Sequence, residues 1–369
     1  MPTRLTVEGL CKKFGSVVVA DGVSFEVPPA TYCAVLGPSG SGKTSLFHML
    51  AGLVRPDAGR VRLGARELDG PGRHLAPERR RVGLVFQDYA LWPHLRVREQ
   101  VGFGVRPGPA RAATVARWLE LLRVEGLADR HPHQLSGGQK QRVAMARALA
   151  AEPELLLLDA PFSNLDAPLR EALRDEFAVL PGTLGLSVIH VTHDRQEAVA
   201  TADQVLVLAG GRLRQKGHPQ ELYRNPADPT VAELLGPANL LPGRAEEASG
   251  GGAVVAAGIR LAAPRSDVPP GGPAVAFFRP EHARIHDGPR PSGPNVFAAR
   301  IVRSGWHEAG WRHRLQVGPE GAGLRLVAFS AAPIAPGADV WVEVPPADCR
   351  VLPPEPPTRS ASSAASSTA

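Results

Sequence analysis

Gly37-Pro38-Ser39-Gly40-Ser41-Gly42-Lys43-Thr44 is the stretch whose reading decides the fold. It fits the spacing G-x-x-x-x-G-K-[ST] without a gap. The apolar run Thr31-Tyr32-Cys33-Ala34-Val35-Leu36 precedes it, and Ser45-Leu46-Phe47-His48-Met49-Leu50 follows with helical character. A strand, a tight loop and a helix in that order turn a spacing match into an anion site. The glycines let the loop fold back so that several backbone N–H groups converge on one anion. The first helical turn, through Ser45, adds the positive end of its dipole. Lys43 reaches the outer phosphates of a nucleotide, and Thr44 offers a hydroxyl to Mg2+. The other reading, a glycine-rich turn with an incidental lysine, does not account for the flanking strand and helix.

The chain has 369 residues, 43% hydrophobic and 21% charged, which suits a globular protein of two or three domains. No apolar run approaches the roughly 20 residues of a bilayer-spanning helix. The start, Met1-Pro2-Thr3-Arg4-Leu5-Thr6-Val7, has no secretory signal pattern, so a cytosolic location is expected. Cys11, Cys33 and Cys349 are too few and too scattered for a disulfide framework or a metal cluster. The net charge of +6 raises the question of nucleic acid or an anionic surface. No basic stripe is interleaved with aromatics, so no nucleic-acid partner is expected. The densest basic run, Arg79-Arg80-Arg81, reads as a solvated face or a contribution to the nucleotide side.

Residues 5–27 read as two strands around a turn, 55–77 as a polar connection and 82–86 as a short apolar strand. Residues 112–122 and 141–151 are helix-like, which makes about 87–150 a helical insertion. Residues 155–158 and 186–191 read as buried strands, the first apolar on both faces as strands of parallel sheets are, and 204–208 as a further strand. They alternate with helices over 169–180 and 195–202. Alternation of this kind after a phosphate loop predicts an α/β fold with a mainly parallel sheet. Near residue 236 proline, glycine and alanine rise. Short strands at 274–278, 298–302 and 339–344 predict a small all-β, barrel-like domain over 237–352. Residues 353–369 lack apolar periodicity and read as a disordered tail.

Two further constellations extend the nucleotide reading. Leu155-Leu156-Leu157-Leu158-Asp159 ends a buried strand in a carboxylate, the partner that Mg2+ held by Thr44 requires. Leu135-Ser136-Gly137-Gly138-Gln139 precedes the helix 141–151. Ser136 suits a cap there, and the glycines permit close approach of a second anion to a second helix N-terminus. One subunit already has a complete phosphate loop, so this second start makes sense if it serves another subunit's nucleotide. An ordinary capped glycine-rich loop is the plainer reading.

Over residues 3–235 the chain resembles the ATP-binding subunits of ABC transporters. The resemblance implies a P-loop NTPase core that binds and hydrolyses ATP with Mg2+. It makes Phe14 the adenine-stacking aromatic, with a core phenylalanine as the alternative. It makes Gln87 the coupling glutamine, a Mg2+ ligand with Thr44 and Asp159. Residues 135–139 become the signature, and Ser163-Asn164-Leu165-Asp166 a dimer-interface loop that brings Asp166 toward the nucleotide. His193, in Val191-Thr192-His193-Asp194, becomes the switch histidine and joins Gln87 as a candidate catalytic group. One position departs from the family. A glutamate that orients or deprotonates the attacking water follows the strand-end aspartate there, but Leu158-Asp159-Ala160-Pro161 places Ala160 at that position. A non-hydrolysing or impaired regulatory subunit is therefore an alternative to a full ATPase.

From about residue 239 the chain resembles the oligonucleotide-fold-like domain of importer ATPases, on Phe278-Arg279-Pro280-Glu281-His282 and Pro336-Gly337-Ala338-Asp339-Val340-Trp341-Val342-Glu343-Val344-Pro345-Pro346. Such domains in the family are regulatory or dimer-stabilising, and the resemblance to ABC ATPases as a whole implies head-to-tail pairing with a second copy or a related ATPase subunit. Each ATP would lie between Lys43, Thr44 and Asp159 of one subunit and Ser136–Gln139 of the other. It also implies membrane permease subunits touching the region of residues 87–94, a substrate-binding protein as an indirect partner, and a peripheral place on the cytoplasmic face of the inner membrane. Residues 86–94 and 235–243 look closest to the iron(III), polyamine and sulfate group, with iron(III) the expected cargo. A non-transport ABC protein acting on DNA or ribosomes is the other alternative. It usually carries two nucleotide domains or long coiled coils, and neither is present.

Overall fold

The computed structural model describes residues 3–163, 165–248, 251–264, 266, 268–307, 310–318 and 323–355. Contacts divide it into two units after Gln220, earlier than the boundary at 236 expected from composition. The segment between those two points carries helices that are fastened within the second unit, as described below.

The first unit opens with the hairpin β1 (Leu5–Phe14) and β2 (Val17–Val27), followed by β3 (Tyr32–Leu36) and α1 (Lys43–Ala51). Residues 55–77 are not a mere connection. They hold β4 (Ala58–Leu63), β5 (Arg66–Gly70) and β6 (Arg73–His74), which extend an antiparallel sheet in the order β2-β1-β4-β5-β6. Val61, Leu63 and Leu68 bury completely and were the missed period-two signal, diluted by glycine and charge around them.

The rest of the unit is β7 (Val82–Val85), α2 (Val97–Gly102), α3 (Arg111–Leu121), α4 (Gly137–Ala150), β8 (Leu155–Asp159), α5 (Ala167–Ala178), α6 (Leu180–Leu184), β9 (Ser187–Val191), α7 (Arg195–Thr201), β10 (Gln204–Ala209) and β11 (Arg212–Gly217). The six-stranded sheet runs β11-β10-β3-β9-β8-β7, parallel except where β10 and β11 form a hairpin. Every residue of β3 and β9 is buried, as expected of strands covered on both faces. Val35, Phe47, Leu50, Leu157 and Ile189 join Val7, Phe25 and Val61 of the antiparallel sheet in one core.

Arg80 corrects the solvated reading of the basic run. It is completely buried, pairs bidentately with Asp69 at 2.7 and 3.0 Å, and donates to the Met49 and Leu50 carbonyls that end α1. A Cβ on Gly52 would stand 2.2 Å from the Arg80 Nε, so glycine makes room for the guanidinium.

The second unit begins with α8 (Pro219–Arg224), whose first two residues precede the division, and α9 (Pro229–Leu235). Ten strands follow: β12 (Asn239–Ala248), β13 (Gly251–Ala256), β14 (Ile259–Ala263), β15 (Pro273–Phe278), β16 (Arg284–His286), β17 (Val296–His307), β18 (Gly310–Val317), β19 (Leu324–Ser330), β20 (Asp339–Glu343) and β21 (Arg350–Leu352). They form two antiparallel sheets, β14-β13-β12-β15-β21 and β16-β20-β17-β18-β19, around one core.

Two buried asparagines close the sheets into a barrel-like unit. Asn239 of the first sheet accepts from Val327 N and donates to Val327 O of edge strand β19, both at 2.8 Å. Asn295, just before β17 in the second sheet, does the same for Ala262 of edge strand β14, at 2.6 and 2.8 Å. Each amide stands in for one more strand, so neither edge is left with unpaired backbone at that point. Arg279, 1% exposed, donates to the carbonyls of Tyr223, Ala232, Gly236 and Pro237 and is stacked between the rings of Tyr223 and Phe277. It thereby holds α8 and the end of α9 to this unit. After β21, residues 353–355 are exposed coil, and the remainder of the expected disordered tail lies outside the described residues.

Candidate functional site

Topology assembles the site. The phosphate loop follows β3, His193 follows β9, Asp159 ends β8 and Gln87 follows β7. These are neighbouring strands of one parallel sheet, so all four leave its C-terminal edge side by side, where open α/β sheets bind ligands. The edge is pinned by backbone bonds. Ala160 N–H donates to Val191 O at 2.8 Å, and Thr192 N–H donates to Val35 O at 3.1 Å.

The loop itself requires its glycines. Gly40 and Gly42 have φ of 77° and 99°, and a Cβ on Gly42 would stand 2.1 Å from Val19 O. A Cβ on Gly37 would stand 2.2 Å from Leu208 O. The loop is thus wedged between β2 and β10. Lys43 Nζ donates to the carbonyls of Gly37 and Pro38 at 2.8 and 2.9 Å, and to Ser41 Oγ at 3.4 Å. Burial lowers the Lys43 pKa, and Asp159 partly restores it. Burial raises the Asp159 pKa, and His48, His190 and Lys43 partly lower it. A cation and a carboxylate each desolvated but only partly compensated suit a phosphate chain and a divalent cation. Thr44, exposed at the first turn of α1, and Asp159 are the groups that could hold that cation. Among the described residues no cluster of three or more His, Cys, Asp or Glu is arranged for a metal. Mg2+ needs none, because one or two protein oxygens plus substrate phosphates commonly hold it.

Phe14 is 49% exposed, which removes the core reading. With Val17 and Val18, 58% and 42% exposed, it forms an apolar tip on the hairpin that passes over the loop at Val19. The two valines were missed in the sequence, where they read only as strand. Gln87 and His193 are exposed. Behind His193, Thr192 Oγ1 donates to the buried Glu197 carboxylate at 2.6 Å and accepts from Asp194 N at 2.9 Å, while Asp194 caps α7. Burial alone would raise the Glu197 pKa, but the His190 ring and the Thr192 hydroxyl outweigh it, so the net shift is downward.

Ser136 is the N-cap of α4. It accepts from Gln139 N at 3.3 Å, and Gln139 Oε1 accepts from Ser136 N at 3.0 Å, a reciprocal capping box. A Cβ on Gly138 would stand 2.5 Å from Leu169 of α5, so that glycine serves helix packing. Asp166 caps α5 by accepting from Leu169 N at 3.0 Å. Asn164 of the same loop lies outside the described residues. Among the described residues no hydrogen bond or ion pair joins residues 135–139 to the phosphate loop. Ala160 has φ of 41° and is 7% exposed, and its carbonyl accepts from Ser163 N and Oγ.

A phosphate loop at the edge of a parallel sheet, a strand-end carboxylate beside it and a second glycine-rich helix start define a nucleotide-binding ATPase. Residues 20–163 match the ABC transporter family, and residues 277–352 match the TOBE domain. Relatives include the sulfate/thiosulfate import ATP-binding protein CysA 2 of Chromobacterium violaceum, 41% identical, spanning 95% of this chain and 96% of the relative. The Fe(3+) ions import ATP-binding protein FbpC 2 of Rhodococcus jostii is 49% identical over 67% of this chain and 71% of its own length. Among solved structures, a dimeric ATP-binding cassette in a post-hydrolysis state with ADP and Pi aligns with a TM-score of 0.51 at 29% identity, over 58% of this chain and 98% of its own. The chain belongs to the ABC transporter family, as an ATP-binding importer subunit with a C-terminal TOBE domain; it binds ATP and is an ATPase. No helix among the described residues is long and apolar enough to cross a membrane.

Proposed function

We propose that two copies, or this chain and a related ATPase subunit, close head to tail on two ATP molecules and drive an importer's membrane permeases. The observation that carries this reading is the division of phosphate-binding equipment within one chain. Lys43, Thr44 and Asp159 cluster at one sheet edge, while the capped start of α4 is not joined to them. A helix N-terminus with two glycines and an exposed serine is equipped to meet a phosphate held by another subunit. The dimeric relative with ADP and Pi supports this pairing. Phe14 would stack on the base, and Lys43 would hold the outer phosphates in place of its present carbonyl partners. Thr44, Asp159 and Gln87 would face Mg2+, whose chemistry is to neutralise charge developing on the transferred phosphoryl group. His193 would contact the terminal phosphate, and Asp166 would lie at the shared interface. Residues 237–352 would be regulatory, and the assembly would sit peripherally on the cytoplasmic face of the inner membrane, served by a substrate-binding protein.

For cargo we propose an inorganic ion, with iron(III) first. The relatives' names include both Fe(3+) and sulfate/thiosulfate, which supports the ion class and leaves iron against sulfate to experiment. Deleting the gene and following uptake of labelled iron(III) and sulfate tests it; loss of sulfate uptake alone would replace iron by sulfate. Ala160 favours a second reading, in which hydrolysis is slow and the ATP-bound pair long-lived.

A further inference from the structure

Residues 88–92 leave β7 just past Gln87 and lead into the helical insertion. Tyr89 and Ala90 have φ of 66° and 43°, two consecutive non-glycine residues in a conformation that L side chains resist. Such strain persists where the surroundings over-determine it. Here the determining group is Arg147 of α4. Its Nη1 donates to Ala90 O at 2.6 Å and its Nη2 to Tyr89 O at 2.9 Å, and the guanidinium lies 4.9 Å from the centre of the Trp92 ring. The buried Gln100 of α2 also grips this segment, accepting from Trp92 N at 3.2 Å and donating to Trp92 O at 2.6 Å. Asp88 Oδ1 accepts from Ala90 N at 3.2 Å.

Arg147 stands on the same helix that Ser136 caps, 11 residues further on. At ~1.5 Å per residue this is roughly 16 Å along one rigid rod. A single helix therefore presents the signature loop at its start and holds the Gln87 loop near its end. We infer that Arg147 is a positioning residue, which fixes the Gln87 loop to α4 so that displacement of the signature end carries Gln87 with it. A lysine does not replace it: an ammonium can meet two successive carbonyls, as Lys43 does, but it has no planar face to stack on Trp92 while doing so. This inference rests on the assignment of Gln87 to the nucleotide site.

The test uses the full chain with Arg147→Gln, Arg147→Lys, Gln87→Ala and the Arg147→Gln/Gln87→Ala double variant. ATP affinity, thermal unfolding, single-turnover hydrolysis and Trp92 emission, isolated by subtracting Trp92→Phe, are measured for each. Both Arg147 variants should keep ATP affinity within about twofold, because the phosphate loop is untouched, and lose roughly tenfold in turnover. The double variant should be no slower than Gln87→Ala alone, since Arg147 acts through Gln87. ATP with Mg2+ should change Trp92 emission in the parent and not in Arg147→Gln. A plain structural fastener would give additive losses and a lowered unfolding temperature. Additive losses, unchanged turnover in Arg147→Gln or Arg147→Lys, or a parent without any Trp92 response overturn the inference. Should Arg147→Gln fail to fold, Arg147→Lys decides alone by the same turnover criterion. Gln87→Ala with full turnover overturns both this inference and the assignment of Gln87, whereas a slow Gln87→Ala beside a normal Arg147→Lys overturns the inference alone.

Discussion

Replacing Ala160 by glutamate places a carboxyl one residue past Asp159, the proposed Mg2+ ligand, and the structure bounds what it should do. The Ala160 backbone is held from both sides, by Val191 O on its N–H and by Ser163 N and Oγ on its carbonyl. The substitution therefore inherits the present backbone. Its φ of 41° costs about 1–2 kcal/mol for any L residue, and alanine already bears that cost. The position is 7% exposed, so the longer side chain must displace neighbours, at about 1 kcal/mol. Burial beside Asp159 should raise the new carboxyl's pKa, which suits a base working near neutrality. General-base positioning is worth about 10²–10⁴-fold. The low end equals about 2.7 kcal/mol of barrier at 1.36 kcal/mol per tenfold. The repacking cost falls on fold stability and is common to the ground and transition states, so phosphate release at saturating ATP should be at least tenfold faster, with ATP affinity by calorimetry nearly unchanged. If the unmodified chain already turns over at about 1 s⁻¹ or faster, within the usual enzyme range, and Ala160→Glu adds nothing, the missing-base reasoning is refuted and another group must position the water.

Lys43→Ala should cut ATP affinity sharply, because the loop amides cannot replace a point charge on the outer phosphates; calorimetry with unchanged affinity would remove the site assignment. Ser136→Arg puts a bulky cation at the capped start of α4, and sizing with ATP and Mg2+ should show loss of the nucleotide-dependent pair; equal pairing would discard the shared site. Arg279→Met leaves four carbonyls without their donor and should destabilise the second unit by about 3 kcal/mol, read from its denaturant midpoint; a shift within about 0.5 kcal/mol would contradict the fastening role. Because burial raises the Asp159 pKa, protons should compete with Mg2+ at a higher pH than for an ordinary aspartate, about 3.9. Mg2+ titrations of the ATP complex should weaken on acidification through that raised range and recover above it. A midpoint at or below the ordinary value would count against desolvation at this site.

Local chemistry was legible from residues close together in the chain. The phosphate loop, the capped start of α4, the strand-end Asp159 and the alanine after it all lie in short stretches whose spacing carries their meaning. The parallel core was legible too, because β3, β8 and β9 are apolar throughout and alternate with helices. Groups whose role depends on distant partners were not. Arg80 reads as surface charge until Asp69 and the end of α1 enclose it. Val17 and Val18 read as strand until the hairpin lies over the phosphate loop. Asn239, Asn295, Arg147 and Arg279 carry no motif, because each bonds to backbone carbonyls or amides, and a backbone group has no residue type for a sequence to display. The tertiary structure alone decided them, since a polar side chain withdrawn from water must find its partners wherever the fold puts them.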